Sequence, residues 1–296
     1  GEIKSIRSSM KTFNLHTHTC HSDGSQEPRK YIEEALRQDF EVLGFSDHSP
    51  LPFQNTFAIK DDGPALQEYC HSILSLKKEF APESNAPGKL GIFLGLELEY
   101  VPGITHPISF YRDKFPFDYI IGSVHLVKNE WNELWFIDGP KKEIYDEGLK
   151  TLFGNDIRKA VTAYYRQFQE MVTTARPEII GHMDKIKMHN RGRFFSEDEP
   201  WYISLTNETL DLIKQTGGIV EVNTRGIYKK RSDTQFPGPE ILKKIFRMNI
   251  PITLSSDAHK PEELSLCFKE SGELLKSIGF RSLVARKGNG WEEYPF

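Results

Sequence analysis

Along the chain, short runs of β-branched and aromatic residues alternate with longer stretches in which apolar side chains recur every third or fourth position. The short runs predict strands at 12–15, 42–46, 92–96, 119–124, 178–181, 219–222 and 252–255. The longer stretches predict helices over 28–39, 64–80, 156–176, 204–216 and 238–248. Several of these are entered through a Pro, or through a Ser, Thr or Asp able to cap the first turn. Strands that alternate with helices pair in parallel through right-handed crossovers, and a parallel sheet of this kind closes naturally into a barrel. No linker, internal repeat or low-complexity tract divides the sequence, so residues 1–296 read as one α/β domain. Residues 126–156 break the rhythm. They are rich in Trp, Gly and charge and far exceed the usual strand-to-helix loop of about 2–6 residues, which predicts an insertion forming a lid or wall over a site. Tyr164, Tyr165 and Phe168 recur at helical spacing and are expected to pack their helix onto the barrel.

The polar residues are placed as systematically as the apolar ones. Strand one runs into His16 and His18 and then Asp23, strand two into Asp47 and His48, and strand three into Glu97. Strand four ends at His125, strand five at His182 with Asp184 beyond it, strand six at Asn223, and strand seven at Asp257 and His259. In a parallel barrel all these ends lie on one face, the C-terminal face on which such enzymes build their active sites. Six of the ten histidines (His16, His18, His48, His125, His182, His259) fall just after a strand, where chance placement would scatter them. His71, His106 and His189 lie elsewhere and are read as structural or exposed.

Imidazole with carboxylate and no thiolate suits Zn, Fe or Mn, whereas Ca and Mg prefer shells of oxygen alone. The candidate ligands are nine: His16, His18, Asp23, His48, Glu97, His125, His182, Asp257 and His259. One ion takes three or four protein ligands and keeps a position open for water, so this set implies two or three divalent transition-metal ions. His16 and His18 point the same way from an extended strand end, and Glu97 can bridge two ions with its two oxygens. Cys20 lies among these residues, but with no other thiolate present it reads as a bystander.

Composition narrows the partners. With 38 Lys+Arg against 42 Asp+Glu the formal charge is -4, which gives no basic field for nucleic acid or an anionic membrane. No apolar run approaches the roughly 20 residues of a membrane span. Three cysteines at wide spacing (Cys20, Cys70, Cys267) form neither a disulfide framework nor a zinc knuckle, which fits a reducing, cytoplasmic setting. The opening GEIKSIRSSM has no signal-peptide core, although a start at Gly1 leaves room for a leader upstream.

Taken in order, HTHT with Asp23-Gly24, then SDH, GLE, SVH, GHMD and SDAH resemble the motifs of the polymerase and histidinol phosphatase (PHP) superfamily. The phrases GFSDHSP, IIGSVH, IIGHMDKIK, VEVNTRG and IPITLSSDAH are most similar to its histidinol-phosphate phosphatases. The resemblance spans residues 12 to about 260 and implies a distorted (β/α)7 TIM-like barrel with a trinuclear metal site at the C-terminal face of the strands. By position it implies one ion on His16, His18, Glu97 and Asp257, a second on Glu97, His125 and His182, and a third on Asp23, His48 and His259. The implied reaction is hydrolysis of a small phosphorylated substrate, L-histidinol phosphate, to L-histidinol and phosphate in histidine biosynthesis.

Clustered cations serve such a reaction by neutralising the phosphate dianion, acidifying a bridging water to the attacking hydroxide, and stabilising the leaving oxygen. Attack would be direct, since no Cys or Ser sits in a phosphate-cradling loop. Glu97 would act as the bridge, and Asp257 or His259 could relay a proton to the leaving group. Arg225, Lys187, Lys229 and Arg193 are the candidate phosphate-binding cations, and Trp131 and Trp135 the candidate cover for the substrate's apolar side. The rivals are a nucleotide phosphatase or 3′ exonuclease of the same superfamily and a metal-dependent amidohydrolase. An exonuclease wants a basic track, and an amidohydrolase commonly carries a carboxylated Lys where strand four here ends in His125. A non-catalytic metal-binding module would be expected to have lost ligands.

Overall fold

The computed structural model describes residues 11–84 and 89–296; the opening segment read for a leader lies outside them. Strand β1 (Phe13–Asn14) leads through α1 (Pro28–Arg37) to β2 (Val42–Phe45), α2 (Pro64–Ser84) to β3 (Gly91–Glu99), and α3 (Ile108–Lys114) to β4 (Tyr119–Ser123). A hairpin of β5 (Leu126–Lys128) and β6 (Leu134–Phe136), then α4 (Lys142–Phe153), precede α5 (Ile157–Glu170) and β7 (Ile179–Ile180). The chain continues through α6 (Pro200–Thr216), β8 (Ile219–Asn223), α7 (Arg225–Tyr228), α8 (Pro239–Arg247) and β9 (Ile252–Ser255). It finishes with α9 (Phe268–Ile278) and a second hairpin, β10 (Ser282–Lys287) with β11 (Gly290–Pro295).

Seven strands form one parallel sheet in the order β1-β2-β3-β4-β7-β8-β9. A bridge between Thr17 and Ala258 brings the two edges together: the His18 amide donates to the Ala258 carbonyl at 2.7 Å and the Ala258 amide to that of His16 at 3.1 Å. The sheet is thus a nearly closed α/β barrel, joined at the end where its strands run out, and that end carries the polar residues. Tyr119 fills the interior beneath them and donates its hydroxyl to the Leu15 carbonyl. Its ring lies against Gly44 and Gly95, where any Cβ would collide with it. Helices cover the outside with apolar stripes: α1 starts at a proline and buries Tyr31, Ile32 and Ala35, and α5 buries Tyr164, Tyr165 and Phe168 as expected.

Three features depart from the sequence reading. Strand β3 runs on to Glu99, because the alternation Leu-Glu-Leu-Glu continues the pleat, so Glu97 lies within the strand and pairs across to His48. Residues 126–153 carry structure of their own, with strands of three residues that are too short to show a period. The terminal hairpin turns through Gly288-Asn289-Gly290, a turn signal that follows the last predicted element. Inside the 126–153 segment Trp135 is fully buried, its ring tilted against Tyr145 and Phe153 with centroids 4.8 and 5.3 Å away, and its indole N–H donates to the Tyr145 carbonyl at 2.9 Å. Trp135 is therefore the core of the insertion and not a cover for substrate. Trp131, 77% exposed in the turn of the first hairpin, does not line the pocket described below.

Candidate metal centre

The nine predicted ligands converge. Glu97 is the hub: its Oε1 lies 3.1 Å from His16 Nε2, 3.2 Å from His18 Nε2 and 3.2 Å from His48 Nδ1. Its Oε2 lies 3.2 Å from His182 Nε2 and 3.7 Å from His125 Nε2. Asp257 Oδ1 sits 3.2 Å from His16 Nε2 and 2.9 Å from His18 Nε2. Asp23 stands between His259 Nε2 at 3.1 Å and His48 Nε2 at 3.4 Å. Three overlapping sets each bring their ligand atoms within 4.8 Å of one another: His18, Asp23, His48 and His259; His16, His18, Glu97 and Asp257; and His48, Glu97 and His125. His182 reaches the same region from β7, its ring 4.8 Å from that of His125.

Several of these atoms meet without bonding. Both ring nitrogens of His18, Nδ1 of His182 and Oδ1 of Asp257 are buried and make no hydrogen bond among the described residues, although His18 Nε2 and Asp257 Oδ1 are only 2.9 Å apart. Buried polar atoms are rarely left this way, and lone pairs aimed at shared points are what divalent cations require. The donor set therefore fits such ions. Burial disfavours the His48 imidazolium, but Asp23, Glu97 and Asp257 overcome it and lift its pKa to about 10. Burial likewise opposes ionisation of Glu97, and His16 and His48 hold its carboxyl well below the usual range.

A ring of residues that the sequence reading did not assign holds the ligands in place. Glu221 pairs with His16 Nδ1 and accepts from the His182 amide at 3.0 Å, Asn223 Nδ2 at 3.0 Å and Ser255 Oγ at 2.6 Å. Glu99 accepts from His125 Nδ1 at 2.6 Å and from the His125 and Leu126 amides. Asp47 accepts from the amide and hydroxyl of Thr19 at 2.7 and 2.8 Å, which fixes the loop carrying Asp23. Such partners set the tautomer and orientation of a ligating imidazole. Their signal was available: Glu99 and Glu221 each lie two residues from a predicted site position on a strand, hence on the same face. Asp257 adopts a left-handed φ of 53°, which turns the chain sharply between Ser256 and His259.

Above the cluster lies a cavity of about 280 Å³. Asp23, His48, His125, Asp257 and His259 form its floor, and Phe57, Phe136, Asp138, Lys185, Arg225 and Arg231 its walls. Of the four predicted phosphate-binding cations only Arg225 is there. Its Nη1 donates to Glu263 at 3.2 Å and to the Asp257 carbonyl and the Tyr228 hydroxyl at 3.3 Å, while Nε and Nη2 make no hydrogen bond among the described residues. Lys187 is tied to Asp184 at 2.9 Å and Glu197 at 3.4 Å and lines a different cleft. Arg193 makes two 2.8 Å bonds to Asp146, and Lys229 does not line the cavity. Lys185, 3.0 Å from Asp138, and Arg231 stand where those side chains were expected. Phe57 and Phe136 stack 5.9 Å apart at the wall, the position expected of the tryptophans. Cys20 is exposed and joins no ligand set.

A family model described as PHP domain matches residues 14–225. Among curated proteins, a probable histidinol-phosphatase of Deinococcus radiodurans is 28% identical over 276 residues, covering 92% of this chain and 95% of its own length. The histidinol-phosphatase of Bacillus subtilis is 27% identical over 270 residues, covering 86% and 96%. Among solved structures, histidinol phosphate phosphatase from Lactococcus lactis, crystallised with zinc, L-histidinol and phosphate, superposes with a TM-score of 0.67 at 23% identity, over 96% of this chain and all of that one. The hisK protein of Listeria monocytogenes superposes with a TM-score of 0.72 at 21% identity, over 88% of this chain and 99% of that one. These two likenesses show the fold.

Proposed function

The chain belongs to the PHP domain family, and from that premise we propose that it is a metal-dependent phosphomonoester hydrolase that converts L-histidinol phosphate and water to L-histidinol and phosphate, a step of histidine biosynthesis, in the cytoplasm. The observation that carries this reading is the convergence of imidazole and carboxylate ligands around Glu97, whose two oxygens face different histidines. Curated relatives that align over nearly the whole chain bear the name histidinol-phosphatase, which supports the substrate.

Two or three Zn, Mn or Fe ions, held by His16, His18, Asp23, His48, Glu97, His125, His182, Asp257 and His259, would neutralise the phosphate dianion and acidify the attacking water. Arg225 offers its free Nε and Nη2 to the phosphate oxygens, joined by Arg231 from the same wall. Asp138 provides a carboxylate for the substrate's ammonium group, and the Phe57 and Phe136 rings a stacking surface for its imidazole. The leaving oxygen, as its bond to phosphorus breaks, would take its proton from water in the open pocket, relayed along the edge of the floor where Asp257 and His259 stand. Glu99, Glu221 and Asp47 keep the ligand rings and the Asp23 loop aimed while this occurs.

Steady-state kinetics of metal-reconstituted protein on histidinol phosphate, AMP and small sugar phosphates test the proposal. A clear preference in kcat/KM for histidinol phosphate is expected. A preference for AMP would transfer the enzyme to the nucleotide phosphatases.

A further inference from the structure

A second cleft, of about 320 Å³, opens beside the metal pocket and shares Pro140 and Arg231 with it as a common wall. Lys142, Arg191, Arg193 and Lys230 complete its charged lining, and no carboxylate lines it. Among the described residues one ion pair tempers this charge, Arg193 with Asp146; Lys142, Arg191, Lys230 and Arg231 have none. Cations gathered so closely repel one another, and the backbone holds them there. Arg191 and Lys230 both take left-handed φ values, 45° and 57°, and Arg191 donates to the carbonyls of Arg231 at 3.3 Å and Lys230 at 3.4 Å, knitting their two loops together. Lys142 opens α4, whose N-terminal end adds partial positive charge to the same wall.

An ordinary solvated face would be convex and would mix both signs of charge. This one is concave, carries positive charge alone on the charged residues of its lining, and is continuous with a pocket whose floor would bind one phosphate. Histidinol phosphate has no second anion to offer it. We propose that the cleft is a second anion subsite, so that the enzyme also takes small phosphomonoesters that carry another phosphate group at the far end of the molecule. The proposal rests on the phosphatase reading above. Water would attack the phosphorus over the metal floor, the phosphorus–oxygen bond there would break, and the alcohol would leave with a proton while the distal phosphate stayed intact in the cleft. A charge-assisted contact to a second phosphate is worth enough to tighten binding about ten- to a hundredfold.

Calorimetric titration of the zinc-loaded enzyme with α,ω-alkane bisphosphonates, beside monoalkyl phosphonates of the same length, tests this without turnover. Wild type should bind the best bisphosphonate at least about tenfold more tightly than its monophosphonate partner. The double variant Lys142→Ala with Lys230→Ala should lose most of that advantage and keep the monophosphonate affinity, which also shows that it is folded. Equal affinity for the two ligands in an enzyme active on histidinol phosphate, or an advantage that survives in the variant, would overturn the second subsite alone. A monophosphonate that does not bind, in a protein without phosphatase activity, would remove both readings.

Discussion

Replacing Arg225 by alanine separates phosphate binding from metal binding. The guanidinium is 15% exposed, so water screens it little, and its Nε and Nη2 are free among the described residues while Nη1 holds Glu263, the Asp257 carbonyl and the Tyr228 hydroxyl. Losing one or two charge-assisted contacts to the substrate phosphate costs about 1.5–4 kcal/mol, which lowers kcat/KM by about one to three powers of ten. The lost Nη1 contacts should matter less. Glu263 still accepts from the His259 amide at 2.8 Å, and Asp257 is still held by Asn223 at 3.1 Å. Arg225→Ala should therefore keep its metal content, and Arg225→Lys, which retains charge without the fork, should fall between the two. The assay is steady-state kinetics on histidinol phosphate with elemental analysis of the same samples. An unchanged kcat/KM would remove Arg225 from the substrate site, and a loss that tracked metal content would mean that it acts through Asp257.

Glu97→Gln should lower activity by at least about a hundredfold and reduce bound metal, whereas Cys20→Ser should stay within about twofold of wild type; equal losses in folded variants would contradict the bridging role. Trp135→Ala should destabilise the protein by about 3–5 kcal/mol in denaturant unfolding and Trp131→Ala by less than about 0.5 kcal/mol, and the reverse order would contradict the packing described for the insertion. Lys187→Ala should leave the KM for histidinol phosphate near that of wild type, because its ion pairs direct it to Asp184 and Glu197 and away from the metal pocket; a large rise in KM would return it to the site.

The ligands were legible because barrel topology turns strand ends into one surface, so His16, His48, His125, His182 and Asp257 could be grouped from strand prediction alone. What supports them was harder to see. Glu99 and Glu221 lie inside strands, where an acidic residue reads as a solvent-facing position until the barrel shows that its interior is polar near that end. Nearness in sequence to a strand end points to Lys187, yet the loop after β7 turns through 185–187 so that Lys185 faces the cavity and Lys187 faces Asp184. Spacing cannot distinguish those two lysines; the fold of their loop does. Trp135 is misplaced for a related reason: strands of three residues show no period, so nothing in the sequence marks the hairpin and helix of 126–153 as needing a core of their own.

The proposed hydrolysis depends on cooperation between closely spaced ions. Metal-stripped protein titrated with Zn, with bound metal and hydrolysis of histidinol phosphate measured on the same samples, tests it most directly. Activity should be negligible with one equivalent bound, rise as a second is taken up, and saturate at two to three per chain. Full activity at one equivalent or fewer, or hydrolysis that persists without metal, would contradict the cluster.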